Sequence, residues 1–137
     1  MTKGIEEVHH NHKPIAIILR ADVTVSGIKF FTPLSNFFQV GLHNREKGVR
    51  IHPHVHKLPK PITVTAMQEL LLIQSGKIRL TLFTAGGKKL GKKILRTGDS
   101  VLLLSGGHGV DFLESTRMFE IKQGPYPGEA SAKLYFP

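Results

Sequence analysis

The apolar residues of this chain come in short runs, and none keeps the 3.6-residue spacing of an amphipathic helix. Clusters of Gly, Pro, Asn and Asp interrupt the chain at close intervals, before a helix of ordinary length could bury a face. The expected class is therefore all-β, a sandwich or barrel of short strands. The clearest strand is Ile78–Phe83, where Ile78, Leu80 and Leu82 alternate with Arg79, Thr81 and Phe83. Alternation places three aliphatic side chains on one face. Similar patterns predict strands at Ile15–Leu19, Ile28–Phe31, Phe37–Leu42, Val49–His56, Ile62–Thr65, Glu69–Gln74, Lys92–Arg96, Ser100–Leu104, Val110–Phe112, Met118–Ile121 and Lys133–Phe136. Ser75-Gly76, between two strong runs, reads as a tight hairpin turn.

A length of 137 residues suits one core, expected over residues 14–137, and residues 1–13 read as a flexible polar arm. That N-terminus carries Glu6 and Glu7 and no apolar segment of the secretory kind, so a cytoplasmic location is the expectation. No apolar run approaches the ~18 residues that span a bilayer. The chain has no cysteine, which excludes disulfides, thiolate metal sites and a Cys nucleophile. Its net charge of +9 points to an anionic partner or to scattered surface lysines. The densest basic stretch, Lys88, Lys89, Lys92, Lys93 and Arg96, is interleaved with glycines and holds no aromatic residue. It reads as a hairpin edge kept from pairing by lysines, not as a nucleic-acid surface.

Three histidines, His52, His54 and His56, occupy alternate positions in one run. On a strand all three would project from the same face, and imidazoles so placed suit a zinc, copper, iron or nickel ion. Arg50, two residues earlier, would share that face. It would be an anchor for a substrate carboxylate or phosphate, or else an exposed arginine at the rim. His43 reads as a hairpin tip, and His9, His10 and His12 as part of the solvated arm. The phenylalanines read first as core.

The glycines around these histidines carry a resemblance. Gly48 is followed after five residues by His54 and His56, and Glu69 is followed after six residues by Gly76. This resembles the first motif of the cupin superfamily. Gly98-Asp99, followed by Gly106-Gly107-His108, resembles the second. The resemblance implies a double-stranded β-helix, or jelly-roll, barrel around a divalent transition metal (Fe, Mn, Zn or Ni) held by His54, His56, Glu69 and His108. Twelve residues separate His56 from Glu69, more than the family usually has, and the excess reads as an enlarged loop. Leu104-Ser105 stands where the second motif usually has Pro, and Gly109 where Asn often follows the last His.

A further resemblance lies in Phe119–Tyr126, similar to the tail of small cupins found with surface-polysaccharide or nonulosonic-acid synthesis genes. It implies isomerase or epimerase chemistry on a small anionic sugar-type substrate. In that reading the metal holds substrate oxygens, and Arg50 or a nearby lysine neutralises an acidic group. With Glu69 ligated, His52 is the remaining candidate for a general base. An iron(II) dioxygenase and a non-catalytic metal- or sugar-binding module are the alternatives. Metal-free chemistry through a His–carboxylate or Tyr base, known in sugar-processing cupins, is disfavoured by the four-ligand set. The resemblance also implies a homodimer paired through edge strands.

Overall fold

The computed structural model describes residues 3–137. Where the sequence reads as one domain, the chain divides into two compact units: the segment through Val23 with Ala66–Pro137, and Thr24–Thr65. The described residues form ten strands and a single four-residue helix, so the all-β expectation holds. No helix among them is long and apolar enough to cross a membrane.

The larger unit holds two antiparallel sheets. One is five-stranded, in the order β1 (Ile5–His10), β2 (Lys13–Leu19), β8 (Ser100–Leu103), β5 (Glu69–Ser75), β10 (Arg117–Lys122). The other is three-stranded, in the order β7 (Lys89–Arg96), β6 (Lys77–Phe83), β9 (Gly107–Phe112). Ile18, Leu71, Ile73, Val101 and Leu103 from the first meet Ile78, Leu80, Leu82 and Leu95 from the second in one buried cluster. The two inner faces thus pack as a sandwich, each set by period-2 alternation. Fully burying one such side chain stabilises by about 1.5–3 kcal/mol.

The stretch expected as an arm contributes β1, which pairs with β2 from Ile5↔Leu19 to His10↔Lys13. Its turn residues, Asn11 and His12, both have positive φ (48° and 62°), as a two-residue type I′ hairpin requires. The strand has few apolar residues because Glu6 is partnered by charge. Glu6 accepts from Arg20 Nε at 2.7 Å and Lys93 Nζ at 2.8 Å, which hold its carboxyl below the usual range. Residues 1–2 lie outside the described residues.

Ser75-Gly76 is not a hairpin turn: β5 and β6 belong to different sheets, so it is a corner between them. Gly76 has φ +98°, and a Cβ there would meet Ser115 O and Thr116 Oγ1 at 2.5 Å. Gly98-Asp99 makes a second corner. The buried Asp99 carboxylate accepts from the Ala21 N–H (2.9 Å), the Arg96 N–H (3.0 Å) and Arg20 Nη1 (3.0 Å). The Gly-Asp of the second motif is thereby a structural clamp, satisfying turn donors that a buried corner would otherwise leave open.

The smaller unit contains the hairpin β3 (Gly27–Phe30) with β4 (Gly41–Asn44), which places His43 on a strand opposite Ile28. Of the predicted strand Phe37–Leu42, only Gly41 and Leu42 fall within β4. The predicted strands Val49–His56 and Ile62–Thr65 are absent: residues 49–65 hold no helix or strand, and every residue from 43 to 65 is exposed. Pro53, Pro59 and Pro61 remove three backbone donors from this stretch, which a sheet ladder needs. Residues 133–136, read as a last strand, are also unpaired.

Candidate active site

The larger unit carries a half-open cavity of about 820 Å³. Its polar end is built by strand alternation. Leu71 and Ile73 on β5 are 2% and 0% exposed, so Glu69, two residues before Leu71, points inward with them. On β10, Lys122 lies opposite Glu69 and Glu120 opposite Leu71. Both therefore share Glu69's face. On the other sheet His108 of β9 lies opposite the buried Leu82, so it too faces inward. One face of the sandwich runs from aliphatic core to a cluster of two carboxyls, an imidazole and an ammonium.

The cluster is closely coupled. Glu69 keeps only 17% of its side chain exposed, and its Oε2 lies 3.4 Å from His108 Nε2. Its Oε1 is 4.0 Å from Lys122 Nζ. Glu120 stands on the neighbouring strand with its side chain on the same face. Burial, then Glu120, pushes the Glu69 carboxyl up to about 7, against the opposing charges of Lys122 and Lys133. Glu120 is held below the usual carboxylate range by Glu69 and by its hydrogen bond to Lys122, whose Nζ is 2.7 Å away. Burial lowers the His108 imidazole, with Glu120 opposing and Lys133 and Lys122 adding to the effect. Lys122 is held above its ordinary value first by its hydrogen bond to Glu120. The shifts of the two carboxyls are opposite in direction, as expected of two acids that face each other. A carboxyl poised near neutrality beside a neutral imidazole can both take and give protons.

Of the residues singled out in the sequence, the structure brings Glu69 and His108 together. Arg50, His52, His54 and His56 lie in the other unit, on the exposed stretch without strand pairing. The common face expected from alternation is therefore not set by a sheet. His54 and His56 are still neighbours, their ring centroids 5.0 Å apart. His54 Nδ1 donates to the His52 carbonyl at 2.7 Å, which leaves Nε2 with its lone pair.

Glu120, Lys122, Tyr126, Lys133 and Tyr135 line the cavity, and the sequence reading missed all five. Glu120-x-Lys122 carried a signal: two charges at alternate positions on a strand whose Met118, Glu120 and Lys122 share one face. Only the pairing of β10 with β5 shows that this face is the inner one. The last two lie on the predicted strand Lys133–Phe136, which joins no sheet.

Comparison with protein-family models, with curated proteins and with solved structures returns no match.

The donor atoms allow a test of the expected metal. His108 Nε2 and Glu69 Oε2 stand close enough to share one ion. The same carboxyl, however, is pushed up to about 7 and faces an ammonium, and its proton and that ammonium both compete with a cation. Among the described residues no group of three or more His, Asp or Glu side chains is placed to hold a metal.

Proposed function

We propose that the larger unit is a proton-transfer enzyme, acting as an isomerase or epimerase on a small sugar-type substrate with an acidic group. The observation that carries this reading is Glu69, 3.4 Å from His108 and 4.0 Å from Lys122, with Glu120 on the same face, at the end of a half-open cavity. In the proposed step Glu69 takes the proton from a carbon next to a carbonyl, and the C–H electron pair passes to the carbonyl oxygen. Lys122 and the neutral His108 donate hydrogen bonds to that oxygen. In an isomerase the proton of the adjacent hydroxyl passes to the former carbonyl oxygen while Glu69 returns its proton to the neighbouring carbon; in an epimerase solvent supplies a proton on the opposite face and Glu69 releases its own to water, so no oxidant or reductant is consumed. Lys133, which also lines the cavity, takes the anchoring role first expected of Arg50 or a nearby lysine; Glu69 takes the base role first expected of His52.

The cupin resemblance supports the same class. The chain crosses between the two sheets at β5–β6, β7–β8, β8–β9 and β9–β10, which is compatible with a jelly roll. A second reading keeps the metal, favoured by the adjacent His54 and His56 rings and the free Nε2 of His54. Held as the resemblance implies, it would polarise a substrate oxygen.

The test is solvent-deuterium incorporation into a panel of uronic acids, phosphosugars and nucleotide sugars, followed by NMR beside elemental analysis. Carbon-bound deuterium with wild type, lost in Glu69→Gln and kept in His54→Ala and His56→Ala, supports the acid–base reading. Loss of both metal and exchange in the histidine variants supports the metal reading. No exchange anywhere in the panel, with full binding, would leave a binding module.

A further inference from the structure

The basic run from Lys88 to Arg96 holds no aromatic residue of its own, but folding gives it one. β7 is an edge of the three-stranded sheet and pairs with β6. On β6 the buried Ile78, Leu80 and Leu82 face the core, so Lys77, Arg79, Thr81 and Phe83 face away from it. The register sets Arg96 beside Lys77, Ile94 beside Arg79 and Lys92 beside Thr81 on that outer face. An unbroken register would then put Leu90 beside Phe83. Instead the ladder shifts between Leu82 and Phe83, and Lys89 stands there. The bulge sends Leu90 to pack against the core and turns Lys89 outward, onto the face of Lys92.

This outer face is short of negative charge. Lys77 Nζ pairs with Glu114 at 3.1 Å and Arg79 Nε with Asp111 at 3.0 Å. Lys89, Lys92 and Arg96 are exposed, and among the described residues none of the three has a carboxylate within ion-pair distance. Lys89, then Arg79, hold the Lys92 ammonium below its ordinary value, because like charges crowd it. Such crowding opposes folding, and an anion laid along the strand relieves it. Two rings end the row. Phe83 is half-buried, and Phe136 packs on it with centroids 5.4 Å apart while staying 40% exposed. On β9 the partners of Phe83 and Thr81 are Gly107 and Gly109, so no side chain from those positions covers the rings.

We propose that the outer face of the three-stranded sheet binds a single strand of nucleic acid, with phosphates along Arg96, Lys92 and Lys89 and a base on the Phe136 ring. At the rise of a strand the cation row runs for about 20 Å, which matches a linear polyanion and not a lone phosphate. The rings at its end favour nucleic acid over a sulfated or carboxylated polymer, since every base offers a π-face to stack. The sequence alone argues against this surface because the aromatic residue comes from the neighbouring strand. Lys89, Lys92 and Arg96 do not line the cavity, so the proposal stands apart from the acid–base reading.

The test is fluorescence anisotropy of a labelled single-stranded RNA of about fifteen nucleotides, titrated with the full chain between about 50 and 200 mM salt. Wild type is expected to bind, and to bind more weakly as salt rises. The double variant Lys89→Ala/Lys92→Ala is expected to lose about tenfold in affinity and about 1.4 in the log–log salt slope, at ~0.7 per phosphate contact. Lys57→Ala/Lys60→Ala removes the same charge from the exposed stretch of the other unit and is expected to stay within about twofold. Phe136→Leu is expected to weaken RNA binding about fivefold or more, the worth of one stacked base, and to leave dextran sulfate binding unchanged. Equal losses in the two lysine variants would trace binding to net charge and overturn the proposal. Wild-type RNA affinity in Phe136→Leu, or binding to dextran sulfate with none to RNA, would overturn the nucleic-acid assignment.

Discussion

Glu69 and His108 stand on paired strands, whereas His52, His54 and His56 stand on a stretch that pairs with nothing. In the sequence the two sets look alike: polar side chains among alternating apolar ones, framed by glycines. What separates them is the ladder. Glu69 is carried inward by Leu71 and Ile73, and the register to β10 then delivers Glu120 and Lys122 beside it. In residues 49–65 no ladder fixes direction, and local contacts such as His54 Nδ1 to the His52 carbonyl set it instead. A ligand-like pattern specifies chemistry only where the backbone beneath it is held.

The contrast is open to attack at several points. The largest expected effect is on turnover. Glu69→Gln should lower the rate of substrate deuterium exchange by about 10²–10⁴-fold, the usual share of a general base. His52→Ala should leave it within about twofold, and a large loss at His52 would return the histidine stretch to the chemistry.

Stability offers the next test. Leu71→Ala, in the core at 2% exposure, should cost about 2–5 kcal/mol in denaturant unfolding. Leu58→Ala, at 95% exposure, should change stability by less than about 0.5 kcal/mol. An equal loss at both positions would mean that the stretch is packed in solution, as in the expected homodimer.

Two glycines sharpen the same comparison. Gly76 and Gly48 have similar φ, +98° and +90°, but a Cβ on Gly48 meets nothing within 4 Å while one on Gly76 strikes Ser115 and Thr116. Gly48→Ala should cost about 1–2 kcal/mol for backbone strain alone. Gly76→Ala should cost more, by roughly 1–3 kcal/mol.

The smallest effects are those of pH, and they oppose each other in sign. The Glu69 carboxyl titrates near 7 in the folded chain against an ordinary 4.5, so its contribution to stability is present below about pH 4.5 and lost as pH rises through 7. Glu69→Gln should therefore raise stability at pH 8, by on the order of 1 kcal/mol, while abolishing exchange. Glu6 is held below the ordinary 4.5 by Lys93 and Arg20, so its contribution is present above that value and lost as pH falls through its folded value. About a third of its side chain is in water, so Glu6→Gln should remove less than about 1 kcal/mol, and only on the acid side of the curve.

The all-β class and the best strands were legible because Ile78–Phe83 and Glu69–Ser75 alternate cleanly. β1 was hidden because a charge-paired carboxylate takes the place of an apolar residue in it and because its turn is Asn-His, not Asn-Gly. The sheet switch at Gly76 was hidden because a corner and a hairpin use the same glycine. Glu69 and His108 were singled out through the cupin resemblance, as metal ligands, and the structure places them 3.4 Å apart. Glu120 and Lys122 needed the β5–β10 register, and Lys133 and Tyr135 needed the path of a stretch that reads as a strand but joins no sheet.

The central claim is that the Glu69 carboxyl, beside Glu120 in the cavity, titrates near 7. Carbon-13 NMR titration of protein labelled at the glutamate carboxyls, after dialysis against a chelator, tests it directly. One carboxyl titrating near pH 7 is expected, absent in Glu69→Gln, with a coupled inflection at the Glu120 resonance. All glutamates titrating below about pH 5 would contradict the claim.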